Sequence, residues 1–343
     1  MAYIGITASD GGLALAGQGA TGASALDALL ERRLDEAGPA APVVVLIHGY
    51  KFDPSSIQPQ DDPHRSLFAH RPDASGRKLR SWPQGLGFDP ERAERGLCIG
   101  FGWPAIEPHL PALLAERRTG FARVYERAGA MGARLADLIA RIHALAPGRA
   151  VDLMAHSLGA RVALAALPHL QTAPERFVLL GAAEFDARAR EALAALRTER
   201  PPSIYNVTAR ANDFYDAAFE TFAPRRGWGE RAVGLGLSDR LPFWLDLQLD
   251  RQDVTDWINA QGLPLTPTSA RLCHWSFYTR GGAFEVYQAI LRRRPGWDIP
   301  SLREAPCFAA QEPRWSRLAL RLHRPALPRL RPRLDLDAGF ERA

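Results

Sequence analysis

Apolar positions along the chain alternate between two periods. Leu26, Leu29, Leu30 and Leu34 recur at helical spacing, which predicts a helix over Ala23–Ala37. Pro39 and Pro42 end it, and Val43–Ile47 follows as an unbroken aliphatic run. Such a run suits a strand covered on both faces of a parallel sheet. The same alternation continues downstream. Strands are expected at 97–103, 151–155, 177–180 and 204–209, and helices at 119–145, 158–167 and 186–196. A hairpin is expected at 3–7 and 13–16, turned by Ser9-Asp10-Gly11-Gly12.

Helices alternating with short buried strands give βαβ units. The expected fold is therefore α/β, a mostly parallel doubly wound sheet. Two stretches break the rhythm. Residues 51–95 are polar and rich in Pro, Gly and Asp, and read as a surface excursion. Residues 219–270 hold Trp228, Trp244 and Trp257 among glycines and prolines, and read as an inserted cap. A last strand is expected at 272–278 and a last helix at 282–293. The expected organisation is a core of 1–218 with 271–300, a cap or lid of 219–270, and a basic tail of 301–343.

Composition narrows the class. Hydrophobic residues make up 46% of the 343, enough for a large core. The net charge of +5 owes much to seven arginines between Arg314 and Arg333, a span without Asp or Glu. The expectation is a solvated extension, with weak contact to an anionic membrane as a secondary role; no nucleic-acid partner is expected. Cys98, Cys273 and Cys307 are odd in number and widely spaced, so no disulfide framework or zinc ribbon is expected. The N-terminus lacks the pattern of a secretory signal and no run is long enough to span a bilayer. A cytoplasmic protein is expected, of unassigned oligomeric state.

The chemistry-bearing segment is Val151-Asp152-Leu153-Met154-Ala155-His156-Ser157-Leu158-Gly159-Ala160. An apolar strand runs directly into a helix with Ser157 at the junction and small residues two positions to either side. This strand–turn–helix resembles the nucleophile elbow of the α/β-hydrolase superfamily, G-x-S-x-G, with Ala155 in place of the first glycine. The resemblance covers about Pro42 to Tyr278. It implies a serine hydrolase with Ser157 as nucleophile and no cofactor. It also implies that His48-Gly49-Tyr50, after the Val43–Ile47 strand, is an oxyanion loop. The donors would be the backbone N–H groups of Tyr50 and Leu158. His48 itself is expected to shape that loop. The esterase subtype with an HGGG loop is not matched. Gly100-Phe101-Gly102-Trp103-Pro104 is similar to a segment of uncharacterised bacterial α/β hydrolases.

The superfamily's triad order is serine, acid, histidine. Asp213, just past the strand at 204–209, is the assigned acid; Asp186 and Asp216 are the alternatives. Only His274 and His323 follow it among nine histidines, and His274 precedes the last expected helix, so His274 is the assigned base. The expected activity is cleavage of a small-molecule carboxylic ester, lipid or other acyl substrate through an acyl-enzyme. A non-catalytic binding protein on the same fold, and an acyltransferase with the same triad, are the competing functions. Asp61, Asp62, His64 and His70 fit no metal-ligand spacing. The aromatics of 219–270 would line an acyl pocket or form the cap's own core.

Overall fold

The computed structural model describes residues 3–18, 22–72, 80–107, 114–198, 200–227, 229–237, 241–267 and 271–309. The arginine-rich segment, Trp228 and His109 lie outside them.

Eight strands form one sheet: β1 (Tyr3–Ser9), β2 (Gly12–Leu15), β3 (Val43–Ile47), β4 (Leu97–Gly102), β5 (Val151–His156), β6 (Arg176–Leu180), β7 (Ser203–Thr208) and β8 (Trp244–Gln248). Their order across the sheet is β2-β1-β4-β3-β5-β6-β7-β8. All pairings are parallel except the β1–β2 hairpin. The helices are α1 (Ala23–Ala37), α2 (Trp82–Gly85), α3 (Leu114–Leu145), α4 (Leu158–Ala166), α5 (Asp186–Ala194), α6 (Asp213–Phe222), α7 (Gln252–Ala260), α8 (Ser276–Thr279), α9 (Ala283–Leu291), α10 (Ile299–Glu304) and α11 (Pro306–Ala309). This is the expected α/β class, a mostly parallel sheet whose topology is consistent with an α/β-hydrolase fold. No helix among the described residues is long and apolar enough to cross a membrane.

The sheet separates two cores. On β3 the side chains of Val43, Val45 and Ile47 join a cluster with α1, α3 and α4, while Val44 and Leu46 join a second cluster with α9, α10 and α11. All five are buried, as a strand covered on both faces requires. The parallel strands all point their C-terminal ends to one edge, and loops leaving that edge meet there. In open α/β sheets this is where ligands bind.

Three placements differ from the sequence expectation. Residues 272–278 do not form a strand. The N–H groups of Tyr278 and Thr279 bond back to the Trp275 carbonyl (3.1 and 2.9 Å), and the aromatic run folds into the helical turn α8. The eighth strand comes from inside the expected cap. Trp244–Gln248 pairs with β7, and Trp244, Leu245 and Leu247 are fully buried. Its five residues sit among proline and glycine signals, which concealed them. The core also extends past residue 300. Leu302, Cys307 and Phe308 are buried on the sheet's second face, and Trp257 packs on Phe308 at 5.3 Å. The described aromatics of 219–270 are therefore largely core. Phe219 packs on Phe185 at 4.7 Å, and the Trp244 indole donates to Asp246 at 2.9 Å.

Candidate active site

At the C-terminal edge of the sheet, β5 stops at His156 and α4 starts at Leu158, which leaves one residue to reverse direction. Ser157 does so at φ 55° and ψ −122°, a conformation that side-chain-bearing residues avoid. Two main-chain bonds tie it to the β6 strand and the loop beyond, besides the one its carbonyl accepts from Ala160 N–H in α4 (3.0 Å). Ser157 N–H donates to the Leu180 carbonyl (2.9 Å), and Ala183 N–H donates to the Ser157 carbonyl (3.1 Å). The small residues flanking Ser157 have a steric cause. A Cβ on Gly159 would stand 2.5 Å from the Ile47 carbonyl oxygen and 2.6 Å from that of His48. The start of α4 thus lies directly against the end of β3. Ser157 is 6% exposed, more enclosed than a solvent-facing elbow suggests.

The loop after β3 is drawn onto the serine in the same way. A Cβ on Gly49 would approach Ser157 Cβ to 2.7 Å and the His156 carbonyl oxygen to 2.9 Å. His48 shapes this loop and is fully buried. Trp103 N–H donates to His48 Nε2 (3.0 Å), so the proton resides on Nδ1, which donates to the Gly49 carbonyl (2.9 Å). The Trp103 indole N–H donates to the His48 carbonyl (3.1 Å), and the two rings stack at 5.6 Å. Burial holds the His48 imidazole neutral, its pKa pushed down to about 3. The Phe-Gly-Trp-Pro segment after β4 is thereby explained: its tryptophan locks the loop packed against Ser157. Tyr50 follows in that loop, and its ring meets Phe121 edge-on at 5.3 Å. Leu158 opens α4, so its N–H is among the first-turn donors that no carbonyl of the helix can reach.

His274 arrives from the far side of the sheet. Cys273 N–H donates to the Ala211 carbonyl (2.9 Å), tying its loop to the turn that follows β7. His156 Nε2 donates to the His274 carbonyl at 3.1 Å, and the two rings stand 4.4 Å apart. His274 is thus anchored to the residue that immediately precedes Ser157. Tyr215 stacks on its other side at 4.6 Å and 20°. Burial, then the neighbouring His156, hold the His274 pKa well below the usual imidazole value. His156 is itself pushed down to about 4 by burial.

The Nδ1 of His274 meets Asn212 Oδ1 at 2.7 Å. The amide of Asn212 donates in turn to Asp216 Oδ1 at 2.8 Å. Asn212 and Asp216 are 2% and 3% exposed, so both bonds are shielded from water. Asp213, the acid assigned from sequence, is the next residue in the chain, buried as the first residue of α6. Asp186 is engaged elsewhere: it accepts from Arg231 N–H (3.0 Å) and from Arg190 (3.1 Å). Gly49 thus packs against Ser157, His274 packs against His156, and an amide stands at the imidazole's Nδ1. Sequence reasoning passed over Asn212 because an acid was sought, and passed over His156 as the variable residue of the elbow. His64, weighed as a metal ligand, instead pairs its Nδ1 with the Tyr3 hydroxyl at 2.9 Å.

No protein-family model and no curated protein matches this chain. Among solved structures it is similar to one described as the crystal structure of esterase PE8. The TM-score is 0.31 and the identity 17%, over 66% of this chain and 93% of that chain.

Proposed function

We propose that this protein is a serine hydrolase that cleaves a carboxylic ester through an acyl-enzyme. The observation that carries the reading is Ser157, held in a left-handed strand-to-helix turn against Gly49, with His274 bonded to its neighbour His156. A strained residue persists only where its surroundings enforce it, at a cost of about 1–3 kcal/mol. Here the turn presents a hydroxyl at the N-terminus of α4, where the helix dipole favours negative charge.

In this reading His274 Nε2 takes the proton of Ser157 Oγ as the oxygen attacks the ester carbonyl. The tetrahedral oxyanion is met by the N–H groups of Tyr50 and Leu158, a pair of fixed dipoles of the kind that contributes several kcal/mol to such transition states. Collapse expels the alcohol, which takes the proton from His274. Water then repeats the cycle on the acyl-enzyme and frees the acid. The low pKa of His274 favours the neutral imidazole that this first step consumes.

Two large apolar side chains are exposed near the base. Phe214 (54% exposed) adjoins Tyr215, the ring stacked on His274, and Leu272 (61%) lies two residues before His274. They suit an apolar acyl chain. The three cysteines are free, which fits a reducing compartment such as the cytoplasm.

The test is a fluorophosphonate probe followed by intact mass, together with p-nitrophenyl esters of graded chain length. The expected result is one adduct on Ser157 in the native protein, none in Ser157→Ala, and turnover that disappears with the adduct. An unlabelled native protein without esterase turnover rejects the reading in favour of a binding protein.

A further inference from the structure

We propose that Asn212 is the residue that orients His274, and that Asp216 acts as a positioning residue by fixing which end of the Asn212 amide faces the imidazole. The proposal rests on the serine-hydrolase reading above, and it moves the third member of the site from Asp213 to a neutral amide backed by a carboxylate.

The argument is one of hydrogen-bond directionality. An imidazole nitrogen has one bonding direction, in the ring plane, and that of His274 Nδ1 is filled by Asn212 Oδ1 at 2.7 Å. A carboxamide has two unlike ends. If its oxygen faces Nδ1, then Nδ1 carries the ring proton and Nε2 is the free base that the mechanism needs. If its NH2 faces Nδ1, then Nδ1 must accept, the proton moves to Nε2, and His274 no longer receives a proton from Ser157. An isolated asparagine does not choose between these ends. Asp216 chooses, because its Oδ1 accepts from the Asn212 NH2 at 2.8 Å and so leaves the amide oxygen for Nδ1. Both residues are nearly fully buried, so water is poorly placed to replace either bond.

A second consequence concerns charge. In a triad with a carboxylate at Nδ1, the adjacent negative charge stabilises the imidazolium. Here the carboxyl group stands one residue further away, behind the amide. The other titratable groups facing His274 are His156 from the end of β5 and Tyr215 from α6, with Cys273 beside it in the chain and Asp213 next to Asn212. His156 and Tyr215 are neutral at neutral pH, His156 because burial lowers its pKa to about 4 and Tyr215 because burial raises its own. The base is therefore expected to work at unusually low pH.

The discriminating experiment uses full-length protein, p-nitrophenyl acetate as probe, and kcat/KM measured from pH 4 to 9. Asp216→Asn is isosteric but can turn either end of its own amide to Asn212, so it no longer dictates which end of Asn212 faces the imidazole. It is expected to lower kcat at least about tenfold with little change in KM, since a wrong tautomer in such a site costs up to about 10⁴. The double variant Asn212→Asp with Asp216→Asn exchanges the two groups. It keeps both hydrogen bonds and puts a carboxylate against Nδ1. It is expected to recover most of the activity lost in Asp216→Asn, and to move the acidic limb of the profile to higher pH. A purely structural role for Asp216 would leave the loss in Asp216→Asn unrescued, whereas the limb's position reports whether residue 212 meets Nδ1. Melting curves and fluorophosphonate labelling are recorded for each variant, so that a misfolded protein is recognised and the exchange variant decides.

Wild-type kcat in folded Asp216→Asn, or an exchange variant whose acidic limb stays in place, overturns the proposal. So does a loss confined to Asp213→Asn. In each case the serine-hydrolase reading survives if Ser157 still labels. A native protein that neither labels nor turns over ester removes that reading, and this inference with it.

Discussion

Gly159 and Ile47 stand so close that a single methyl group on the glycine would lie 2.5 Å from the Ile47 carbonyl oxygen. The obstacle is backbone on both sides, the first turn of α4 and the end of β3, so no flexible side chain can swing aside. Gly159→Ala is expected to push the elbow away from the Gly49 loop, lowering esterase kcat/KM at least about tenfold and stability by about 1–3 kcal/mol, the usual range for overpacking. Thermal melts and ester turnover check it. Native activity would show that the two segments need not touch.

The strain at Ser157 has its own signature. Glycine accepts a positive φ without penalty, whereas alanine inherits the unfavourable conformation of serine. Ser157→Ala and Ser157→Gly are both expected to be inactive, and the glycine variant is expected to be the more stable by about 1 kcal/mol. Urea unfolding of the two variants measures the difference. Equal stabilities would mean that the turn is unstrained.

Acid should weaken the fold by an identifiable route. His48 and His156 are buried and His64 half-buried, and desolvation pushes the pKa values of His48, His64 and His156 down to about 3, 4 and 4. Between these values and the ordinary imidazole pKa of 6.5, the unfolded chain binds protons that the folded chain refuses. Stability is therefore fully present above pH 6.5 and falls as pH drops through 6.5 toward 4, by about 1.4 kcal/mol per pH unit for each histidine. Asp152 works against the trend. Burial lifts its pKa from 3.8 to about 7, so its contribution falls as pH rises across the same window. The expected net effect of these four groups is a loss on acidification. His48→Gln should show a shallower slope between pH 4.5 and 6.5 in urea titrations. An unchanged slope would exclude His48 from it.

The chain beyond Pro300 belongs to the folded body. Arg303 donates to the Trp244 carbonyl on β8 at 2.8 Å, and Leu302 and Phe308 are buried. Deleting one large buried side chain costs about 2–5 kcal/mol. A chain ending at Pro300 is expected to melt at least about 10 °C lower than one ending at Ala309, or to be insoluble. Coincident melts would show α10 and α11 to be dispensable.

Phe214 and Leu272 are expected to recognise the acyl chain. The double variant Phe214→Ala with Leu272→Ala should raise KM for p-nitrophenyl octanoate at least about fivefold while leaving the acetate ester within about twofold. Each buried CH2 of a chain is worth about 0.8 kcal/mol, which makes the contrast measurable. A uniform change across chain lengths would place the acyl group elsewhere.

Much of this architecture was legible in the chain. Val43–Ile47, Val151–His156 and most of the other parallel strands announce themselves, because a strand buried on both faces must be largely apolar. The elbow announces itself too, since the close approach of the Ile47 and His48 carbonyls at Gly159 admits no side chain. The aromatic run at 272–278 misled because β-propensity is local, and its donors are satisfied by a turn that only the tertiary setting selects. Trp244–Gln248 stayed concealed because a five-residue edge strand earns its identity from the β7 partner it meets.

The division is sharpest around His274. Hydrophobic patterning acts between chain neighbours or at fixed periods, so the sequence by itself determined most strands of the sheet, the Ser157 junction and the candidacy of His274. Hydrogen bonding to the imidazole acts across 62 residues of separation and depends on direction to within fractions of an ångström. Sequence order placed three carboxylates within range and favoured Asp213. Only the tertiary structure decided that Asn212 meets Nδ1, because the turn after β7 and the start of α6 fix which of several adjacent polar side chains points at the ring.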